Sequence, residues 1–261
     1  MDLNLKGKRA LVCGSTQGIG KAAAIELALL GADVTLLARN EAVLMKTVKE
    51  LDASEGQKHE YICSDFSVPA FLKETIQDYT VQNTVNILVN NTGGPAGGPI
   101  IEAKAEEFKQ TFANHLLCNH ILVQAVVEGM KKSGYGRIIN IISTSVKQPI
   151  KGLGVSNTIR AAVANWSKTL SLELGPFGIT VNNVLPGATK TQRLTTLLDA
   201  RAKKTGTSVT NLEKEMLAEI PLNRFAEPNE VANAVAFLAS TAAAYINGIN
   251  IPVDGGRTGN L

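Results

Sequence analysis

The sequence predicts an α/β fold: one domain over residues 1–261, built as a doubly wound parallel sheet of about seven strands with helices on both faces. Three observations predict it. Apolar strand-like runs alternate with helical patterns along the whole chain, with no internal repeat, linker or low-complexity tract. A glycine-rich turn joins the first strand to the first helix. Most later strands also stop at short polar turns, the arrangement in which a parallel sheet collects its ligand residues beyond the strand ends.

The elements follow in order. Arg9-Ala10-Leu11-Val12 reads as a short buried strand, and 21–30 as a helix with Ala22, Ala23, Ile25, Leu27 and Ala28 available for packing. A second strand covers 33–38 and a third 60–63, followed by Ser64-Asp65-Phe66. A helix over 69–82 begins with Pro69, whose missing N–H costs nothing in a first turn. The strand over 85–89 runs into Asn90-Asn91-Thr92-Gly93-Gly94. A long helix is expected over 106–132, with Phe108, Phe112, Leu116, Ile121, Val123 and Val127 among its apolar positions. A strand over 137–142 ends at Ser143, an Ala-rich helix covers 156–174, and a strand over 179–185 stops at Pro186-Gly187. The stretch 192–219 is polar, helical and poor in core residues; it reads as a flexible lid or as a surface excursion. A short helix over 230–240 and a strand over 249–253 close the fold.

Composition narrows the class. Hydrophobic residues make up 44% and charged residues 19%, the range of a soluble globular protein. A formal charge of +3 is too small to argue for nucleic acid or a membrane surface. No run reaches the length of a membrane span, and Met1-Asp2-Leu3-Asn4 does not open a signal peptide. The expectation is a cytoplasmic protein. Cys13, Cys63 and Cys118 are odd in number and widely spaced, so they read as reduced core thiols, and no metal site is expected.

The first turn carries the chemistry. A strand turning sharply into a helix leaves the first helical N–H groups without partners, and with the helix dipole they favour a phosphate. Gly14, Gly18 and Gly20 let backbone and ligand approach closely. The spacing is G-x-x-x-G-x-G, and by itself it equally describes a tight packing turn. The second strand adds the discriminating feature. A carboxylate near its end usually holds the ribose hydroxyls of NAD, whereas an arginine marks the 2′-phosphate of NADP. Here Ala38 is followed by Arg39, whose planar fork can grip a phosphate. This favours NADP(H) over the alternative of Arg39 as a solvated surface charge. Gln17 stands where a second basic residue could have strengthened the preference.

Together these turns resemble the short-chain dehydrogenase/reductase family over essentially the whole chain, which implies a Rossmann-type fold. Gly14-Ser15-Thr16-Gln17-Gly18-Ile19-Gly20 matches the family's glycine motif. Asn90-Asn91-Thr92-Gly93 resembles its Asn-Asn-Ala-Gly motif, and Asn114 falls where the family has a catalytic helix asparagine. Pro186-Gly187 with Thr191 resembles the segment that holds the nicotinamide carboxamide. Glu227 to Ala232 and Val253-Asp254-Gly255-Gly256 match C-terminal signatures. The resemblance is greatest to 3-oxoacyl-(acyl-carrier-protein) reductases. It places Thr16, Gln17, Ile19, Asp65, Phe66, Asn91, Thr92, Gly93, Pro186, Gly187 and Thr191 in the cofactor set beside the glycines and Arg39. It also implies a homotetramer paired through the helices over 106–132 and 156–174, with Leu117, Ile121 and Val163 as candidate outward apolar positions.

One hallmark is absent. The family carries Tyr-x-x-x-Lys with a serine thirteen positions before the tyrosine. Ser143 is present, but the positions that follow at that spacing are Ser156 and Arg160. A phenol titrates near pKa ~10 and is lowered by a neighbouring lysine; a serine hydroxyl is a far weaker acid and shorter by a ring. Arg160 keeps the positive charge and can hydrogen-bond the nicotinamide ribose, but it does not pass on protons. Asn114, Ser143, Ser156 and Arg160 are therefore the candidate catalytic set. His115 and His120 read better as packing histidines, Lys147 and Lys151 as solvated loop residues, and Lys131-Lys132 as a helix end rather than a docking patch. Two functions follow: an NADPH-dependent reductase of a small-molecule or acyl-thioester carbonyl with weakened or altered proton delivery, or a catalytically poor NADP(H)-binding sensor or partner subunit.

Overall fold

The computed structural model describes residues 1–260. Seven strands form one parallel sheet in the order β3-β2-β1-β4-β5-β6-β7: β1 Arg9–Cys13, β2 Asp33–Ala38, β3 Glu60–Cys63, β4 Ile87–Asn90, β5 Gly136–Ile141, β6 Ile179–Pro186 and β7 Asn250–Val253. The order reverses direction at β1 and β4, which opens a crevice between their carboxyl ends. Leucine, isoleucine and valine dominate the central strands because both faces of a parallel sheet are covered.

The helices form two layers. On one face α1 (Gly18–Leu29), α2 (Glu41–Val48) and α9 (Pro228–Ala239) bury Ala23, Ala24, Leu27, Leu44, Val231 and Val235 against the sheet. On the other, α3 (Pro69–Gln82), α5 (Cys118–Ser133) and α6 (Gly154–Leu174) contribute Leu72, Ile76, Leu122, Val126, Met130 and Leu174. The motif beginning at Glu227 starts α9. The Glu230 carboxylate accepts from the Glu227 N–H at 2.8 Å, and both oxygens accept from Arg224 at 2.6 Å. These bonds pull Glu230 down to about 2.

Several sequence expectations need correction. The helix expected over 106–132 divides into α4 (Ala105–Phe112), a π-helical segment Ala113–Leu117, and α5. The fourth strand lies two residues later than expected at its start. Helix α2 was not anticipated, although Asn40 accepts from the Val43 N–H at 3.1 Å as an ordinary cap. The polar stretch after β6 is two helices, α7 (Gln192–Thr205) and α8 (Val209–Ala218), each burying one residue, Leu198 and Leu212. Val163 faces inward and is fully buried, so it cannot serve as an outward apolar position; Leu117 remains exposed. All three cysteines are free, and burial pushes the Cys118 thiol up to about 12 and Cys13 higher still.

A row of asparagines crosses the sheet at its functional end. Asn90, Asn140, Asn183 and Asn250 lie directly opposite one another on β4 to β7. Asn90 Nδ2 donates to Asn140 Oδ1 at 2.8 Å, Asn140 Nδ2 to Asn183 Oδ1 at 3.0 Å, and Asn183 Nδ2 to Asn250 Oδ1 at 2.8 Å. Asn140 Nδ2 also donates to Ser167 Oγ at 3.1 Å. A one-residue slip would turn every amide to the opposite face, so the row locks the register. Asn140→Ala leaves Asn90 Nδ2 and Asn183 Oδ1 buried without these partners, at about 1–3 kcal/mol for each group. Urea denaturation should therefore show a loss above about 2 kcal/mol; a loss below about 0.5 kcal/mol would mean that the row adds no net stability.

Candidate active site

The glycine turn is built to bring a helix end close to a ligand. After β1 the Gly14 N–H donates to the Leu37 carbonyl at 2.8 Å. Gly14 has φ +57°, and a Cβ there would lie 2.6 Å from the Asn91 carbonyl oxygen. A Cβ on Gly20 would press into the Gly14 carbonyl. Asn91 closes the turn from the neighbouring strand, its Nδ2 donating to the carbonyls of Cys13 at 3.2 Å and Gly14 at 3.3 Å. Gln17 precedes α1 without a side-chain cap, and the first turn holds no acidic residue. The N–H groups of Gly18, Ile19 and Gly20 therefore remain donors beside half-buried Thr16, which fits a dinucleotide phosphate.

The other turns converge on the same edge. Leu37 pairs with Cys13, so Arg39 emerges one strand over from the glycine turn. Its side chain is exposed and forms no ion pair among the described residues. Asp65 Oδ1 accepts from the Ser67 N–H at 2.9 Å, and half-buried Phe66 packs against the core, its carbonyl accepting from Cys118 Sγ at 3.3 Å. Gly187 bonds β7 through Val253 at 2.9 Å, just beyond Pro186. Thr191 caps α7 by accepting from the Leu194 N–H at 3.4 Å. A Cβ on Gly18 would lie 3.1 Å from its methyl, so this cap sits against the glycine turn.

The candidate catalytic residues come from three elements. Ser143 follows β5 and its Oγ accepts from the Ser145 N–H at 3.1 Å. Ser156 and Arg160 lie one turn apart at the start of α6. The Ser156 hydroxyl has no hydrogen bond among the described residues, whereas buried Arg160 donates from Nη1 to the Ile141 carbonyl at 2.8 Å. Asn114 lies in the π segment, its Oδ1 accepting from Gln110 Nε2 at 2.8 Å. Such wide turns recur at functional sites because they re-aim side chains.

Matching the sequence profile of the family described as enoyl-(acyl carrier protein) reductase, residues 14–258 span nearly the whole chain. The chain belongs to the short-chain dehydrogenase/reductase family. A 3-oxoacyl-(acyl-carrier-protein) reductase of Vibrio cholerae serotype O1 is 34% identical over 254 residues, covering 97% of this chain and 98% of that protein. The structure of L-sorbose reductase from Gluconobacter frateurii, complexed with NADPH and L-sorbose, superposes with a TM-score of 0.92 at 30% identity and full coverage of both chains. That of YwfH, an NADPH-dependent reductase involved in bacilysin biosynthesis, gives 0.91 at 29% identity, covering 97% and 99%.

In this member of the family the structure adds two residues to the site. His115 is buried, and its Nδ1 meets Thr92 Oγ1 in a short hydrogen bond. Burial first, then the Arg160 charge, hold its pKa well below 6.5, against a hydrogen bond with the Gly93 backbone. Arg193, near the start of α7, donates from Nη2 to the Pro95 carbonyl and packs beside Gly94. Burial, and then Arg193, pull Arg160 down to about 10. Nothing in the spacing marked Arg193, because it lies in a polar helix without a motif. His115 did follow Asn114, but its ring direction depends on the wide turn. His120, by contrast, packs edge-on to Trp166 at 6.2 Å, as a core histidine.

The His115 shift has a pH consequence. Its folded-state pKa is depressed, so below about 6.5 the unfolded chain takes up a proton that the folded chain refuses. Stability from this group is therefore complete above that pH and falls by up to about 1.4 kcal/mol per pH unit below it. Urea titrations between pH 7.5 and 5.5 should show a shallower loss for His115→Gln than for the unmodified protein. Equal slopes would mean that His115 is not a buried neutral ring.

Proposed function

We propose that the protein is an NADPH-dependent carbonyl reductase that lacks the usual phenolic acid and takes its proton from water. The carrying observation is the pair on α6: a Ser156 hydroxyl without a hydrogen bond among the described residues, one turn from a buried Arg160 anchored on the Ile141 carbonyl. The reading also draws on the relatives, which are reductases by name and include structures holding NADPH.

The cofactor supplies a hydride to the carbonyl carbon. The chain's own residues do the rest. The N–H groups at Gly18 to Gly20 hold the pyrophosphate, Arg39 holds the 2′-phosphate, and Asn91 keeps the turn rigid. Asp65 and Phe66 would border the adenine, and Thr92, Gly93, Pro186, Gly187 and Thr191 the nicotinamide end. Ser143 donates a hydrogen bond to the carbonyl oxygen. Arg160 stabilises the negative charge that grows there and reaches the nicotinamide ribose. A water between Ser143, Ser156 and Arg160 gives a proton to the alkoxide oxygen, and the hydroxide left behind takes a proton from bulk solvent through a second water that Asn114 holds. A positioned acid contributes roughly 10²–10⁴-fold, so this route is slow but not inactive. Residues 1–261 act as one domain with 192–219 as its lid, and the chain assembles as a homotetramer in which exposed Leu117 on the π segment is covered.

Single-turnover NADPH oxidation with ketones and β-keto thioesters tests the chemistry. Ser156→Tyr with Arg160→Lys should raise the rate at least about 100-fold if the phenol is the missing part. Binding without turnover in both forms would favour the sensor reading instead. Calorimetry tests the cofactor separately: Arg39→Ala should weaken NADPH by about tenfold while leaving NADH affinity unchanged, and no NADPH uptake by the unmodified chain would overturn the proposal.

A further inference from the structure

We propose that Arg193 and Arg160 form an anion subsite beside the reaction centre, so that the carbonyl substrate carries its own carboxylate. This rests on the reductase reading and narrows its substrate class from neutral β-keto thioesters to oxo acids.

The argument begins with unpaired charge. Arg160 is 8% exposed, and Arg193 is only partly exposed. Neither belongs to any ion pair among the described residues, where carboxylates are paired with other lysines and arginines. Each guanidinium has five N–H donors. Arg160 uses Nη1 on the Ile141 carbonyl, and Arg193 uses Nη2 on the Pro95 carbonyl. Both acceptors are neutral. The two cations are close enough that Arg193 depresses Arg160, and both depress His115, so they repel one another without a counter-charge. Burying like charges together is costly unless an anion joins them.

The position of the pair selects the anion. Arg160 is anchored two residues before Ser143, the proposed donor to the reacting carbonyl. Arg193 lies against Gly94, three residues past Asn91, and Thr191 two residues before it touches the glycine turn. Asn90 pairs with Asn140, so both anchors lie beyond the ends of the neighbouring strands β4 and β5, beside the turn that carries Ser143. A planar carboxylate matches the guanidinium fork. His115, held neutral, adds no third charge and leaves room for a single negative one. Because Arg193 is carried by α7 and bonds the loop after β4, an anion there also links the two sides of the cleft.

The test compares acids with their neutral counterparts. Pyruvate, 2-oxobutyrate and 4-methyl-2-oxopentanoate are assayed against their methyl esters, with the unmodified protein, Arg193→Gln and Arg193→Lys. Losing a charged hydrogen bond corresponds to about 10- to 100-fold. The acid-to-ester ratio of kcat/KM should fall by that factor in Arg193→Gln, with a smaller fall in Arg193→Lys, which keeps the charge but not the fork. Calorimetry of the same oxo acids with the cofactor-free chain gives a second readout that needs no turnover. Binding of the acids and not the esters, weakened in Arg193→Gln, supports the subsite even if no substrate is reduced. Equal handling of acids and esters by the unmodified protein would overturn it while leaving the reductase reading intact. A fall in NADPH affinity of tenfold or more in Arg193→Gln, with the acid-to-ester ratio unchanged, would assign the anion to the cofactor's pyrophosphate and also overturn it. Thermal unfolding of each variant checks that the chain remains folded.

Discussion

Asn91 is the joint on which the site depends. Its amide nitrogen binds the carbonyls of Cys13 and Gly14 and so ties the end of β4 to the turn after β1, across the crevice where the strand order reverses. The preceding residue, Asn90, is tied the other way, into the amide row that reaches β7. Adjacent residues on a strand point to opposite faces, so two asparagines in sequence can serve two directions at once. One residue further, Thr92 holds the ring of His115. Three consecutive positions thus set the distance between the glycine turn, the sheet and the wide turn before α5. That spacing sets how the N-terminus of α1 stands to the proposed arginine pair on α6 and α7.

The charges in the cleft follow a different logic from those on the surface. Lys131 pairs with Glu128 at 2.8 Å and lies 4.7 Å over the ring centroid of Phe177, so its charge is spent locally at the end of α5. Arg160 and Arg193 are left with neutral carbonyls. On the proposed reading Ser156 offers no titrating acid, while Arg160 keeps the positive charge that a lysine would carry there and adds a planar fork of donors. Such a site holds and polarises an anionic reactant better than it gives it a proton.

Much of this architecture was legible in the sequence because it rests on local patterns. The helix at Pro69–Gln82 and the strand at Asp33–Ala38 fell where periodicity put them. The glycine turn was readable because a close backbone approach has few solutions, and Ser156 and Arg160 were found by their distance from Ser143. What escaped depends on three-dimensional phase. The break in the helix before α5 has no proline or glycine to announce it. The amide row needs four strands in register before any of its bonds exists. Val163 looked like a surface position only because apolar residues do not state which side they face. Arg193 meets the loop after β4 only because α7 lies against Gly94 and Pro95, and no residue spacing encodes that. By contrast, α2 has a cap that a sequence can show, in Asn40.

The wide turn over Ala113–Leu117 has a consequence for how this chain can vary in length. It accommodates one residue more than an α-helical turn would. Removing that residue would restore ordinary winding and leave α4 and α5 in phase, because the extra residue is what the wide turn absorbs. What would change is the local direction of the chain, which carries Asn114 and His115 away from the positions of a regular helix. A chain one residue shorter here would keep the packing of both helices and lose only the presentation of these two side chains.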